Sequence, residues 1–186
     1  SKLLDDIVVS TDDSKISKIV KYSGAIVIKR PPELSTDTST TESAIEHYIN
    51  SSNEKPDIIV LLQATSPIRP IGSLDEALIH FQNGGYDSLL SICSTHRFFW
   101  KFDENENVYS EYDYQKRPRR QDIKYRDRHF IENGSIYIFS REHFEKSGNR
   151  LGGNIGYVIW PEEYNIEIDT PLDFILAEQI YNNLNS

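Results

Sequence analysis

DIIVLLQATSPIRP, residues 57–70, is the stretch on which the fold turns. From Ile58 to Leu62 every position is apolar. So continuous a run suits a central strand covered on both faces, where alternation with polar residues disappears. Gln63 then stands at the carboxyl end of that strand. In open α/β sheets, ligands bind beyond such ends.

The neighbouring segments alternate strand and helix signals. Upstream, DIVVST (6–11) is a short apolar run. Ile16, Ile19 and Val20 follow on one helical face, with Gly24 as a stop. AIVIK (25–29) reads as the second strand, and Ala44, Ile45, Tyr48 and Ile49 fall at helical spacing. Downstream, SLDEALIHF (73–81) has Ser73 and Glu76 in capping-box register, and Gly84-Gly85 ends the helix. DSLLSIC (87–93) is a further strand. This order predicts an α/β fold: a mainly parallel, Rossmann-like sheet with helices on both faces.

From His96 to His129 the pattern changes. FFWKFDENENVYSEYDY (98–114) predicts a hairpin with its turn near Glu104–Asn107. The stretch RPRRQDIKYRDR (117–128) follows with six basic residues. Residues 96–129 are therefore expected to form an excursion from the sheet, as an active-site cover or a dimer contact. FIENGSIYIF, YVIWP and YNIEI predict further strands, and Pro171 opens a last helix with Leu172, Ile175, Leu176 and Ile180 as its buried stripe. The whole, 1–186, is expected to be one domain.

Composition narrows the function. The net charge of −9 disfavours non-specific nucleic-acid binding. No run of about 18 apolar residues is present, so no membrane span is expected. A single cysteine, Cys93, permits no intrachain disulfide and fits a reducing, cytoplasmic compartment. The five histidines lack metal-ligand spacing.

NIEIDTPLDF (165–174) joins two devices. Thr170 can cap the last helix, Pro171 suits its first position, and Asp173 suits the positive end of the dipole. On a strand, Glu167 and Asp169 share a face roughly 6.5–7 Å apart. Such a pair either shares a magnesium ion or is a solvated face.

KRPPELSTDTSTT (29–41), LLQATSPIRP (61–70), ENGSIYIF (132–139) and EIDTPLD (167–173), in that order, resemble the acylneuraminate cytidylyltransferases. The likeness spans about Ile7 to Glu178. It implies a nucleotidyltransferase fold, a homodimer, and a reaction in which CTP and a nine-carbon keto sugar acid give the CMP-sugar and pyrophosphate. It implies Arg30, Ser39 and Thr41 at the nucleotide, and Gln63, Asn133 and Tyr137 at the sugar. Lys101 and Arg120 fall on the sugar and phosphate side. Asp169 and Glu167 match the acids that hold Mg2+, with Glu167 where an aspartate is common. The family also opens with a strand and a phosphate-cradling loop of the type L-x-A-R-x-G-S-K. That segment has no counterpart here, and the chain is expected to be the remainder of a longer protein. Other readings are a cytidylyltransferase for 3-deoxy-manno-octulosonate, or a non-catalytic nucleotide-binding or dimer-partner module.

Overall fold

The computed structural model describes residues 1–184. It contains the βαβ unit expected at the start. β1 (Val8–Thr11) and β2 (Ile26–Lys29) pair in parallel, Val8 opposite Ile26 and Thr11 opposite Lys29. Between them α1 (Ser14–Tyr22) begins at Asp13, whose side chain accepts hydrogen bonds from the Lys15 and Ile16 amides at 2.6 and 2.8 Å. Gly24, at φ +83°, turns the chain into β2 as its lack of a Cβ allows. Val20 is buried, whereas Ile16 and Ile19 of the expected apolar face remain exposed.

A core forms where α2 (Thr41–Ser51) meets β3 (Ile58–Leu61), β7 (His129–Ser140) and α4 (Arg141–Ser147). Ile45, Ile49, Ile59, Tyr137, Phe139 and Phe144 make one buried cluster there. β3 pairs antiparallel with β7, Leu61 opposite Tyr137. With β4 (Ser88–Thr95) and β8 (Ile155–Trp160), the four-stranded order is β3-β7-β4-β8. The run at 57–63 is thus an edge strand of this sheet, and the architecture is a mixed α/β one. An apolar run reports burial; it carries no information on strand direction or on which neighbour pairs with it.

α3 (Ser73–Gly84) corrects the expected capping box. Its N-cap is Gly72, at φ +82°, and makes no side-chain cap. Ser73 lies inside the helix and is buried, while the Glu76 amide donates to the Gly72 carbonyl at 3.1 Å. The other end is as expected, with Gly85 in the left-handed conformation.

The chain packs as two compact units. The first comprises Ser1–Leu61, Ile71–Leu90 and Ile136–Gly156; the second comprises Leu62–Pro70, Ser91–Ser135 and the chain from Tyr157 onward. The excursion belongs to the second. There β5 (Trp100–Phe102) and β6 (Val108–Ser110) form the expected hairpin, and Asp103 holds its turn by accepting from the Asn105 and Asn107 amides, both at 2.9 Å. The basic stretch winds through short 3-10 turns at Arg120–Asp122 and Tyr125–Asp127.

YNIEI is not a strand. A 3-10 turn at Glu162–Tyr164 leads into an irregular segment, in which the Ile168 amide donates to the Thr65 carbonyl at 2.8 Å. A period of two needs a ladder partner to become a strand, and this segment meets a loop. In α5 (Pro171–Leu184), Ala177 is buried, but Leu172, Ile175 and Leu176 of the expected stripe are exposed. Among the described residues, no helix is long and apolar enough to cross a membrane.

Candidate active site

The second unit gathers the carboxyl end of the 57–63 run, the NG step of β7 and the acidic segment before α5. Their meeting point is Gly134, at φ +65°. A Cβ there would lie 2.5 Å from Gln63 Oε1, 2.7 Å from Glu167 Oε1 and 2.9 Å from Ser66 Oγ. Three polar side chains from two separate stretches, 57–70 and 165–174, therefore converge over a floor that only glycine leaves open. Gln63 is half-buried and Glu167 exposed, so the cluster reaches solvent. Ser66 is buried, and among the described residues its Oγ has no hydrogen-bond partner.

Two internal anchors hold this floor. Arg69 donates to the Ser66 carbonyl at 2.9 Å and to Ser135 Oγ at 3.2 Å, which ties the TSP segment to β7. Burial pulls its guanidinium below the ordinary arginine range. Asn133 is fully buried. Its Oδ1 accepts from Ser91 Oγ at 2.6 Å and from the Ser135 amide at 3.3 Å. Its Nδ2 donates to Cys93 Sγ at 3.4 Å and to the Tyr164 carbonyl at 3.5 Å. The amide thus faces inward and fixes the backbone on either side of the site.

The acidic segment is pinned at its far end. Asp173 Oδ2 accepts from the Thr170 amide and hydroxyl, both at 2.8 Å, and from the Asp169 amide at 3.2 Å. Thr170 Oγ1 accepts in return from the Asp173 amide at 3.3 Å. The Thr170 hydroxyl and amide, followed by the Asp169 amide, hold the Asp173 carboxyl below the usual range. The cap thereby fixes the backbone of Asp169, which is exposed, as is Glu167.

Among the described residues no cluster of three His, Cys, Asp or Glu side chains could hold a metal. Glu167 and Asp169, both exposed and two residues apart, are carboxylates of the kind magnesium accepts. That ion takes one or two carboxylates and completes its shell with water and substrate phosphates.

The remaining predicted residues lie as follows. Lys101 is ion-paired with Glu111, which raises its pKa. Arg120 lies 3.8 Å from Glu162. In the first unit, Arg30 folds onto β1, donating to Ser10 Oγ at 3.1 Å and to the Ser10 carbonyl at 2.6 Å. Ser39 Oγ accepts from the Thr36 amide at 3.0 Å, and Thr41 opens α2. Tyr137 is buried in the core, with the Arg150 guanidinium 4.6 Å from its ring centre. Ser66, Arg69, Gly134 and Asp173 are the contributors that the sequence reading did not assign to the site. All four stand inside motifs it quoted.

Cys93 is buried beside Asn133, and burial pushes its thiol up to about 11. Against an ordinary thiol, that leaves about a hundredfold less thiolate at neutral pH. Iodoacetamide should therefore label the folded protein at least about a hundredfold more slowly than the urea-unfolded chain. Equal rates would show that Cys93 is accessible.

Comparison with known proteins defines the class to which the chain belongs. The fold is shared with a solved 4-diphosphocytidyl-2C-methyl-D-erythritol synthase from Anaerococcus prevotii, at a TM-score of 0.67, 12% identity and coverage of 97% of this chain and 83% of that one. It is shared also with a CMP:2-keto-3-deoxy-manno-octonic acid synthetase complexed with CTP, at a TM-score of 0.63, 13% identity and coverage of 95% and 82%. At such identities the likeness carries the nucleotidyltransferase-type fold alone. The family model described as cytidylyltransferase matches residues 1–182, and the chain belongs to that family. It is 35% identical to N-acylneuraminate cytidylyltransferase B of Danio rerio over 95% of its own length and 41% of that protein. It is 27% identical to the post-translational flagellin modification protein B of Campylobacter coli over its whole length and 80% of that protein. The chain thus spans about two-fifths of the length of the Danio rerio relative.

Proposed function

We propose that this protein transfers CMP from CTP to the anomeric hydroxyl of a nonulosonic acid of the sialic or legionaminic type and releases pyrophosphate. The observation that carries the reading is the convergence of Gln63, Ser66 and Glu167 over Gly134, with Asp169 two residues along. The family membership and the names of the relatives support the same chemistry.

In the reaction the anomeric oxygen attacks the α-phosphorus. The bond from that phosphorus to the pyrophosphate oxygen breaks, and the hydroxyl proton leaves to solvent at the exposed Asp169 carboxylate. Gln63 can donate to one sugar hydroxyl and accept from another. Asn133 positions that end of the site from beneath, and Tyr137 belongs to the packed core of the first unit. Arg30, Ser39 and Thr41 address the nucleotide. Lys101 and Arg120 exchange Glu111 and Glu162 for phosphate or sugar carboxylate oxygens. Glu167 and Asp169 would hold Mg2+, which when bound neutralises phosphate charge. We assign the protein to a reducing, cytoplasmic compartment. Its homodimer contact would cover the exposed hairpin residues Trp100, Phe102 and Val108.

The test is pyrophosphate release by the full-length protein from CTP and Mg2+, with N-acetylneuraminate, legionaminic acid and 3-deoxy-manno-octulosonate in parallel. Turnover with a nine-carbon acid is expected. Turnover with the octulosonate alone would overturn the substrate class, and none with any acceptor would overturn the transferase reading.

A further inference from the structure

The excursion holds a cavity of about 340 Å³, lined by none of the residues assigned above to CMP transfer. Its charges are unevenly matched. Three acids line it, and each is ion-paired with a cation that does not: Glu111 with Lys101, Asp122 with Arg119 and Asp127 with Arg126. Three cations line it too, Arg97, Lys124 and Arg128. Among the described residues none of these has an ion-pair partner. Arg128 lies over the Tyr125 ring, at 5.7 Å. One wall is aromatic, with Phe98 and Tyr112 rings 4.5 Å apart.

Acids satisfied from outside and cations left facing in give the cavity a positive interior beside an apolar face. We propose that it binds a small anion, a carboxylate or phosphate group carried on a compact body that rests against Phe98 and Tyr112. Arginine forks suit either oxyanion. The lining cations are exposed to water, so the binding is weak and salt-sensitive.

Trp100 reports on the cavity because its ring meets that of Tyr112 edge-on at 6.0 Å. The protein has two tryptophans, and fluorotryptophan labelling with fluorine NMR separates them, Trp100→Phe identifying the signal. Titration with inorganic pyrophosphate in one arm and N-acetylneuraminate in the other, without CTP or Mg2+, tells a phosphate source from a carboxylate source. A saturable shift of the Trp100 signal is expected in at least one arm. The double variant Arg97→Ala/Arg128→Ala should weaken it roughly tenfold or more, as expected for lost charged hydrogen bonds. Arg97→Lys/Arg128→Lys should keep most of the affinity, and this guards against misfolding as the cause. No saturable shift with either anion, or equal affinity in the alanine double variant, overturns the proposal. Because no nucleotide or metal is present, the result is independent of whether CMP transfer occurs.

Discussion

Gly134→Ala should lower kcat/KM for CMP transfer about a hundredfold while costing only about 1–2 kcal/mol of stability. The two effects separate because of what the new methyl group meets. Gln63 Oε1 and Glu167 Oε1, at 2.5 and 2.7 Å, are the free ends of flexible side chains. They can swing away at little steric expense. Ser66 Oγ, at 2.9 Å, can rotate about a single bond. What remains as a folding penalty is mainly the left-handed φ of +65°, which disfavours a Cβ. Catalysis loses more. The side chain proposed to grip the sugar and one of the proposed magnesium ligands are both displaced, and a misplacement of about 1 Å can cost about a hundredfold. Urea denaturation and steady-state kinetics on the same preparation measure the two effects. If activity falls only in proportion to the folded fraction, Gly134 is a backbone requirement and the convergence above it has no catalytic meaning.

The residues around Gly134 also show how far the sequence could be read. Gln63, Glu167 and Asp169 were identifiable because each stands in a distinctive ordered motif. The supporting bonds are not legible, even for Asn133 in its NG motif, because the partners are remote along the chain. Arg69 reaches Ser135, and Asn133 reaches Ser91, Cys93 and the Tyr164 carbonyl. Nothing local in IRP or ENG reveals such bonds. β1-α1-β2 is legible for the opposite reason: the helical spacing of Ile16, Ile19 and Val20 and the stop at Gly24 are local signals. The reading failed where two local signals competed. At α3 the S-x-x-E pattern suggested a cap at Ser73, but Gly72 adopts the left-handed turn and leaves Ser73 buried in the helix. The 57–63 run is legible as a strand but not as an edge strand, because its antiparallel partner residues in β7 lie more than seventy positions downstream. In α5 the apolar spacing was real, yet Leu172, Ile175 and Leu176 are uncovered by the described residues. Periodicity marks which positions can be buried, and only the rest of the fold decides whether they are.

Asp169→Asn should abolish nearly all transfer, by at least about a hundredfold, and leave the fold as stable as before or slightly more so. The amide keeps the shape of the side chain and leaves the backbone bond from the Asp169 amide to Asp173 in place. It removes one of two like charges two residues apart, neither of which has an ion-pair partner among the described residues. Exposed like charges destabilise by roughly 0.2–1 kcal/mol, so their relief is a small gain. A merely solvated pair of acids predicts that same gain with no change in rate. A magnesium site predicts the gain together with loss of activity and a raised Mg2+ requirement, because a carboxylate oxygen with full charge is replaced by a neutral carbonyl. Glu167→Asp supplies the control. It shortens the reach by one methylene but keeps the charge, and it should retain more activity than Glu167→Gln at saturating Mg2+. Thermal unfolding of all three variants with and without Mg2+ gives a readout that does not depend on turnover. Mg2+ with CTP should raise Tm of the unaltered protein and of Glu167→Asp, and raise it least in Asp169→Asn. Equal stabilisation and equal turnover in Asp169→Asn would return the pair to a solvated face and remove the metal from this end of the site.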